Sequence, residues 1–250
     1  MKKFFKEFDS HQIKILYKTS NQDFERGYYR FKELHNDNNL IFQKEKDIPL
    51  SFKESLLHLF NSSFRHTIFF VDDNVFKEPF SVEDDEFKYF SSHEDVATLS
   101  LRLHPRLTYC YPARINMTPP NFGEYNTFLW LGQSGDYGYP MSLDGHVFRS
   151  SDIYYYIIAG NYNGPNPLEA QMAVNPIPFK KMMCYDKSII LNNPLNKVQN
   201  YNNNIHGNVT AEFLNKEFLS GKIIDLSTFE GIDNKSCHQE IQVNLFNFIF

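Results

Sequence analysis

The run Thr67-Ile68-Phe69-Phe70-Val71 stops abruptly at two adjacent carboxylates, Asp72 and Asp73. A β-favouring run with no polar face must be covered on both sides, as in a sheet flanked by helices. The first third of the chain supplies both kinds of element in alternation. Residues 13–17 and 40–42 carry strand patterns and residues 24–34 carry a helical one. A second helix, over 51–60, opens at Ser51 with Glu54 three residues on, as in a capping box. Met1 to Phe8 reads as the tail of an amphipathic helix. This alternation predicts an α/β chain on a mostly parallel, doubly wound sheet. Ligands of such sheets sit beyond the carboxyl ends of strands, and Asp72 and Asp73 occupy such an end.

The remainder is less regular. Strands are expected at 97–103 and 128–131, and the four prolines within 105–122 predict a long surface connection. Residues 132–145, rich in Gly, Tyr and Asp, have the composition of a binding loop. Ser151 or Asp152 can cap a helix through Ala159, and Pro165 or Asn166 can open another through Ala173. One or two short strands fit 182–191, an asparagine-rich loop 192–208, a helix ended by Gly221 210–219, and a last strand 241–246. A length of 250 residues suits one domain around one sizeable core.

The net charge of −5 argues against nucleic acid as a partner, since phosphate neutralisation needs a surplus of Lys and Arg. No apolar run approaches the roughly 20 residues of a membrane span, and Met1-Lys2-Lys3-Phe4-Phe5 passes at once into Lys6-Glu7. A cytoplasmic location is the expectation. Cys110, Cys184 and Cys237 are widely spaced, which favours buried free thiols over a disulfide framework or a thiolate metal site. The Asn-x-Ser/Thr triplets at Asn61, Asn116, Asn208 and Asn234 are then chance matches.

The chemistry concentrates first at Asp72-Asp73. Two carboxylates side by side repel unless a cation joins them, and hard oxygen ligands suit Mg²⁺ or Mn²⁺, which also bridges nucleotide phosphates. The same pair equally suits a helix cap or a tight turn.

Several pieces in order carry a resemblance. They are Ile15-Leu-Tyr-Lys-Thr-Ser-Asn21, Phe24 with Gly27-Tyr28, Phe69-Phe-Val-Asp-Asp73 and Ser100-Leu-Arg-Leu103. Three more follow: Asp136-Tyr-Gly-Tyr-Pro-Met-Ser-Leu-Asp-Gly-His-Val-Phe-Arg149, Pro165-Asn-Pro-Leu-Glu169 and Ser236-Cys-His-Gln-Glu240. Together they resemble a group of microbial and viral GT-A glycosyltransferases over most of the chain. The resemblance implies a GT-A-like fold with an irregular C-terminal acceptor-side half. Residues 1–95 would form the nucleotide-sugar-binding half and 96–250 the acceptor and catalytic half.

It also implies roles. Asp72 and Asp73 resemble the acidic metal motif, although Asn74 makes it Asp-Asp-Asn rather than Asp-x-Asp, so either carboxylate could touch the metal. In the reading adopted, Asp73 and His238 hold Mn²⁺ or Mg²⁺ and Asp72 binds donor. Glu169 stands where inverting members carry their general base, and Asp144 shares the catalytic assignment. Gly145 looks like part of the loop lining donor and acceptor sugars, with His146 and Arg149 following on its strand. Trp130, Tyr137 and Tyr139 are candidate stacking platforms for sugar faces, and core positions by an equally good reading. Asp144 also suits a turn, Glu169 the start of a helix, and His238 an ordinary surface or core histidine. The implied reaction moves a sugar from a nucleotide-diphospho-sugar donor to a glycan acceptor. Family members usually open with a further strand that supports the base, and this chain starts inside the helix after it. A non-catalytic relative that binds sugar or a partner chain is therefore the second expectation. A metal-dependent phosphoesterase is the third, and it needs a second metal site.

Overall fold

In a computed structural model the residues described are 1–46, 48, 51–195 and 209–247. The chain is α/β. In order, the elements are β1 (Ile13–Tyr17), α1 (Gln22–Leu34), β2 (Leu40–Lys44), α2 (Ser51–Leu59), β3 (His66–Ile68), β4 (Asn74–Phe76) and α3 (Asp85–Ser92). Next come β5 (Val96–Ser100), β6 (Tyr109–Cys110), β7 (Ile115–Asn116), β8 (Thr127–Leu129), β9 (His146–Arg149), α4 (Ser150–Ala159) and α5 (Pro165–Val174). The last are β10 (Lys181–Cys184), β11 (Ile190–Asn192), α6 (Ala211–Leu219), β12 (Lys222–Ile224) and β13 (Leu245–Asn247).

The main sheet has five strands in the order β3-β9-β5-β10-β8. Only β5 and β10 pair in parallel; β3 with β9, β9 with β5, and β10 with β8 are antiparallel. β1 and β2 form a separate parallel pair, in register from Ile13 opposite Leu40 to Tyr17 opposite Lys44. The α/β class read from the sequence is met, whereas the mostly parallel sheet is met only in part. The physical reason lies between β5 and β9. A parallel neighbour needs a crossover, usually helical, but residues 101–145 contain no α-helix, and β9 returns antiparallel beside β5.

The interior strands are covered on both faces. β5 is buried at all five positions. Along β9, Val147 enters one cluster with Phe80, Phe90 and Leu99, while Phe148 enters another with Ile153, Leu168 and Met172. Along β10, Met183 joins the first cluster and Met182 and Cys184 join a third with Leu103 and Tyr137. This is the period-two alternation of a strand inside a layered core. The three cysteines are buried free thiols.

Met1 to Phe8 is not a helix. Phe80 N–H donates to the Phe4 carbonyl and Lys6 N–H to the Phe80 carbonyl, so the segment spends its backbone bonds on a bridge to Phe80, with Phe4 and Phe8 buried. The run at 67–71 pairs only to Ile68, leaving Asp72 and Asp73 in the following turn. The connection over 105–122 carries the hairpin β6-β7. The last strand starts at Leu245, later than read, and most of the asparagine-rich loop, 196–208, lies outside the described residues with Asn208. Among the described residues no helix is long and apolar enough to cross a membrane.

Candidate functional site

The site is assembled by short pairings that draw distant segments together. β4 and β11 run antiparallel with Asn74 opposite Asn192, and Asn193 N–H donates to the Asp73 carbonyl at 2.9 Å. On its other side Asn192 bridges to His238: its N–H donates to the Cys237 carbonyl and its carbonyl accepts from Gln239 N–H, both at 3.0 Å. Gly145 closes the third side. Its N–H donates to the Phe69 carbonyl and its carbonyl accepts from Leu101 N–H, which fixes Asp144 beside the end of β5. Gly145 sits at φ +71°, and a Cβ there would stand 2.0 Å from Ile190 Cδ1. The left-handed backbone favours glycine here, and a Cβ would also force the buried Ile190 side chain to shift.

Asp144 is the hub. Its Oδ1 accepts from Asn74 Nδ2 at 2.5 Å. Its Oδ2 meets Arg102 Nη1 at 3.0 Å, with His238 Nε2 and Asn192 Nδ2 each 3.4 Å away. Arg102 is buried and also pairs with Asp136 through Nη2 at 3.3 Å. Its guanidinium holds the Asp144 carboxyl below the usual range against the opposing effect of burial. Asp73 stands on the open side of this network. Asn192 Nδ2 donates to its Oδ1 at 2.8 Å, yet burial first, and then the Asp144 and Asp72 charges, push its carboxyl up to about 7. Burial lowers the pKa of His238, so its imidazole is neutral at pH 7, the form that ligates metals.

Glu169 reaches the same place from α5, a helix begun by Pro165 in its first turn. Its Oε2 accepts from Leu143 N–H at 3.0 Å, one residue from Asp144, and its carboxylate is hydrogen-bonded by Tyr139. Burial raises the Glu169 pKa, which partly offsets into a group that can take up a proton more readily than a surface carboxylate.

Among the described residues no three His, Cys, Asp or Glu side chains form a ready-made metal cage. Mg²⁺ is normally held by one or two carboxylates, with substrate phosphates completing its shell, and a partial shell is what this chain offers. Asp73 has no cation beside it to offset the Asp144 and Asp72 charges among the described residues, where the buried Asn192 Oδ1 and His238 Nδ1 also have no hydrogen-bond partner. These residues fit a cation completed by substrate and not one caged by protein.

The fold thus brings Asp73, Asp144, Gly145, Glu169, Tyr139 and His238 into one neighbourhood. Asp72 is exposed next to it and faces Tyr28 of α1, whose pKa is raised by burial and then by the Asp72 charge; Tyr28 stacks on Tyr17 at 4.2 Å. Three assigned binding residues have other occupations. His146 is fully buried, with Nδ1 3.2 Å from the Pro140 carbonyl, and burial pulls its pKa down to about 3. Arg149 lies at the far end of β9, opposite His66, where it binds the carbonyls of Phe90 and Val96 at 2.8 Å each and covers the Phe90 ring. Trp130 donates from Nε1 to the Phe179 carbonyl at 2.7 Å and packs against the third cluster. Nothing in these contacts joins Arg149 or Trp130 to the site, whereas His146 touches it only through the charges of Arg102 and Asp144.

Arg102, Asn74, Asn192 and Asp136 were not assigned roles from the sequence. Arg102 had a visible signal: a guanidinium between Leu101 and Leu103 in a buried run must meet carboxylates. The asparagines had none, since their part depends on the pairing of β4 with β11. No family model, curated protein or solved structure matches the chain.

Proposed function

We propose that the protein is an inverting, metal-dependent glycosyltransferase of GT-A-like architecture that uses a nucleotide-diphospho-sugar donor and a glycan or other hydroxyl acceptor. The observation that carries this reading is the meeting of Asp73, Asp144, His238 and Glu169, residues from four separate parts of the chain, around one acidic centre.

A bound Mn²⁺ or Mg²⁺ would neutralise the charge that develops on the departing diphosphate, with Asp73 as the primary protein ligand and His238 beside it. Arg102 keeps Asp144 ionised and fixed, so that Asp144 can orient a sugar hydroxyl without taking up its proton. Glu169 acts as base. The acceptor hydroxyl gives its proton to Glu169 as its oxygen attacks the anomeric carbon, and the bond from that carbon to the diphosphate oxygen breaks with its electron pair leaving on the diphosphate. Tyr139 and the Leu143 N–H hold the Glu169 carboxylate in place for that transfer. Attack opposite the leaving group inverts the anomeric centre.

Calorimetric titration with nucleoside diphosphates tests the donor half of the reading. Binding that requires Mn²⁺ or Mg²⁺ and is lost in Asp73→Asn supports it; equal binding with and without metal, or none for any base, counts against it.

A further inference from the structure

A polar cavity of about 250 Å³ lies apart from the acidic centre, between the β4 end, the turn before β11 and the segment 231–234. It shares no lining residue with the acidic centre. Ser188, in its wall, donates to the Arg102 carbonyl at 2.7 Å, whereas the Arg102 guanidinium points into the acidic centre.

Its lining is cationic. Lys77, Arg106 and Lys187 bring three positive charges against the carboxylates of Glu78 and Asp233. Asp233 is engaged by Arg106 Nη2 at 3.1 Å, and Glu78 stands 3.9 Å from Lys77 Nζ, beyond hydrogen-bond reach. The Lys77 side chain is only 2% exposed, and the Ile232 carbonyl at 2.9 Å takes one of its three N–H groups. Lys187 makes no hydrogen bond or ion pair among the described residues, yet it is close enough to Lys77 to disfavour its charge. His104 adds no charge: its Nε2 meets the Asn234 carbonyl at 2.8 Å, its Nδ1 accepts from Arg106 N–H, and burial lowers its pKa.

Glu78 and Asp233 offset these charges only in part: the buried Lys77 ammonium has one hydrogen bond and its nearest carboxylate beyond hydrogen-bond reach, so an anion entering the space would be held by charge-assisted bonds. The space is smaller than a typical pocket for a drug-sized ligand, and lysine ammonium groups with a guanidinium are the usual partners of phosphate oxygens. We propose that this cavity binds a small phosphorylated anion, with Lys77 at its floor and Arg106 and Lys187 at its mouth. One oxygen meets Lys77, and the others meet the two outer cations.

Inorganic phosphate is the probe, titrated by calorimetry into the full chain at low, constant ionic strength. Saturable binding is expected, weakened about tenfold or more in Lys187→Ala and in Arg106→Ala, since each removes a charge-assisted contact. Lys187 is exposed and has no hydrogen bond or ion pair among the described residues, so its variant should keep the fold; Lys77→Met, checked for folding by circular dichroism, should abolish binding. Asp73→Asn should leave phosphate binding unchanged. No saturable binding up to about 10 mM overturns the proposal, because a charge-lined site would exceed that affinity. Binding that survives the loss of both Lys187 and Arg106, or that disappears in Asp73→Asn, overturns it as well. None of these results depends on sugar transfer.

Discussion

Replacing Asp73 by Asn should stabilise the protein at neutral and alkaline pH while removing its metal response. The Asp73 carboxyl is raised from 3.8 to about 7, by burial and by the charges of Asp144 and Asp72. The folded state therefore binds more protons than the unfolded one between these values. Stability relative to a permanently neutral side chain is intact below about pH 4 and declines until pH 7, then levels off. A shift of about three units at about 1.36 kcal/mol each sets an upper bound of about 4 kcal/mol. Asp73 is half-buried, and solvent screening reduces this to about 1–2 kcal/mol. Asn keeps an oxygen for the bond from Asn192 Nδ2, so packing is nearly unchanged. Thermal unfolding of both forms from pH 4 to 8 reads the difference, which should open with rising pH and reach about 2–8 °C in Tm at pH 8. A gap independent of pH, or a variant less stable at pH 8, would refute the claim that Asp73 is electrostatically frustrated.

Arg102→Met should cost about 3–5 kcal/mol, because Asp144 and Asp136 would be left buried without their cation; chemical denaturation measures it. Gly145→Ala should cost about 2–4 kcal/mol from its left-handed backbone and the clash with Ile190, and adding Ile190→Val should recover part of the loss in thermal melts. Glu169→Gln should lower kcat for sugar transfer by about 10²- to 10⁴-fold with donor affinity retained. With wild-type protein the acid limb of kcat against pH should fall above the ordinary carboxylate range, activity rising as pH passes the raised Glu169 pKa and the base loses its proton; a limb near pH 4 would remove Glu169 from the base role.

Local signals were legible where one residue sets the local geometry. Pro165 opens α5, and α6 starts after Thr210 with Gly221 at φ +92° following it, whereas the start of α1 was read two residues late and its cap, Asn21, which accepts from Asp23 N–H at 2.9 Å and Phe24 N–H at 3.0 Å, was missed. α3 and β4, the second only three residues long, escaped because their patterns are too short to stand out from turns. The antiparallel course of β9 escaped because its cause is an absent crossover helix some forty residues upstream, between β5 and β9. For the site, carboxylates at strand ends could be read, since their cost demands an explanation wherever they occur. The partners that meet it could not: Asn192 and Arg102 reach Asp144 across 48 and 42 residues, by pairings no local pattern encodes. Conversely, Arg149 ends the strand that follows Gly145, away from the site, and holds the end of α3, while His146, next to Gly145, is sealed in the core and reaches Asp144 only electrostatically.

The most direct test is a single-turnover assay in which the protein, Mn²⁺ and a panel of nucleotide-diphospho-sugars are followed for release of nucleoside diphosphate. Slow release is expected from at least one donor, dependent on metal and abolished in Asp73→Asn and in Asp144→Asn. Release that is unaffected by those substitutions, or no release from any donor by a folded protein, would contradict it.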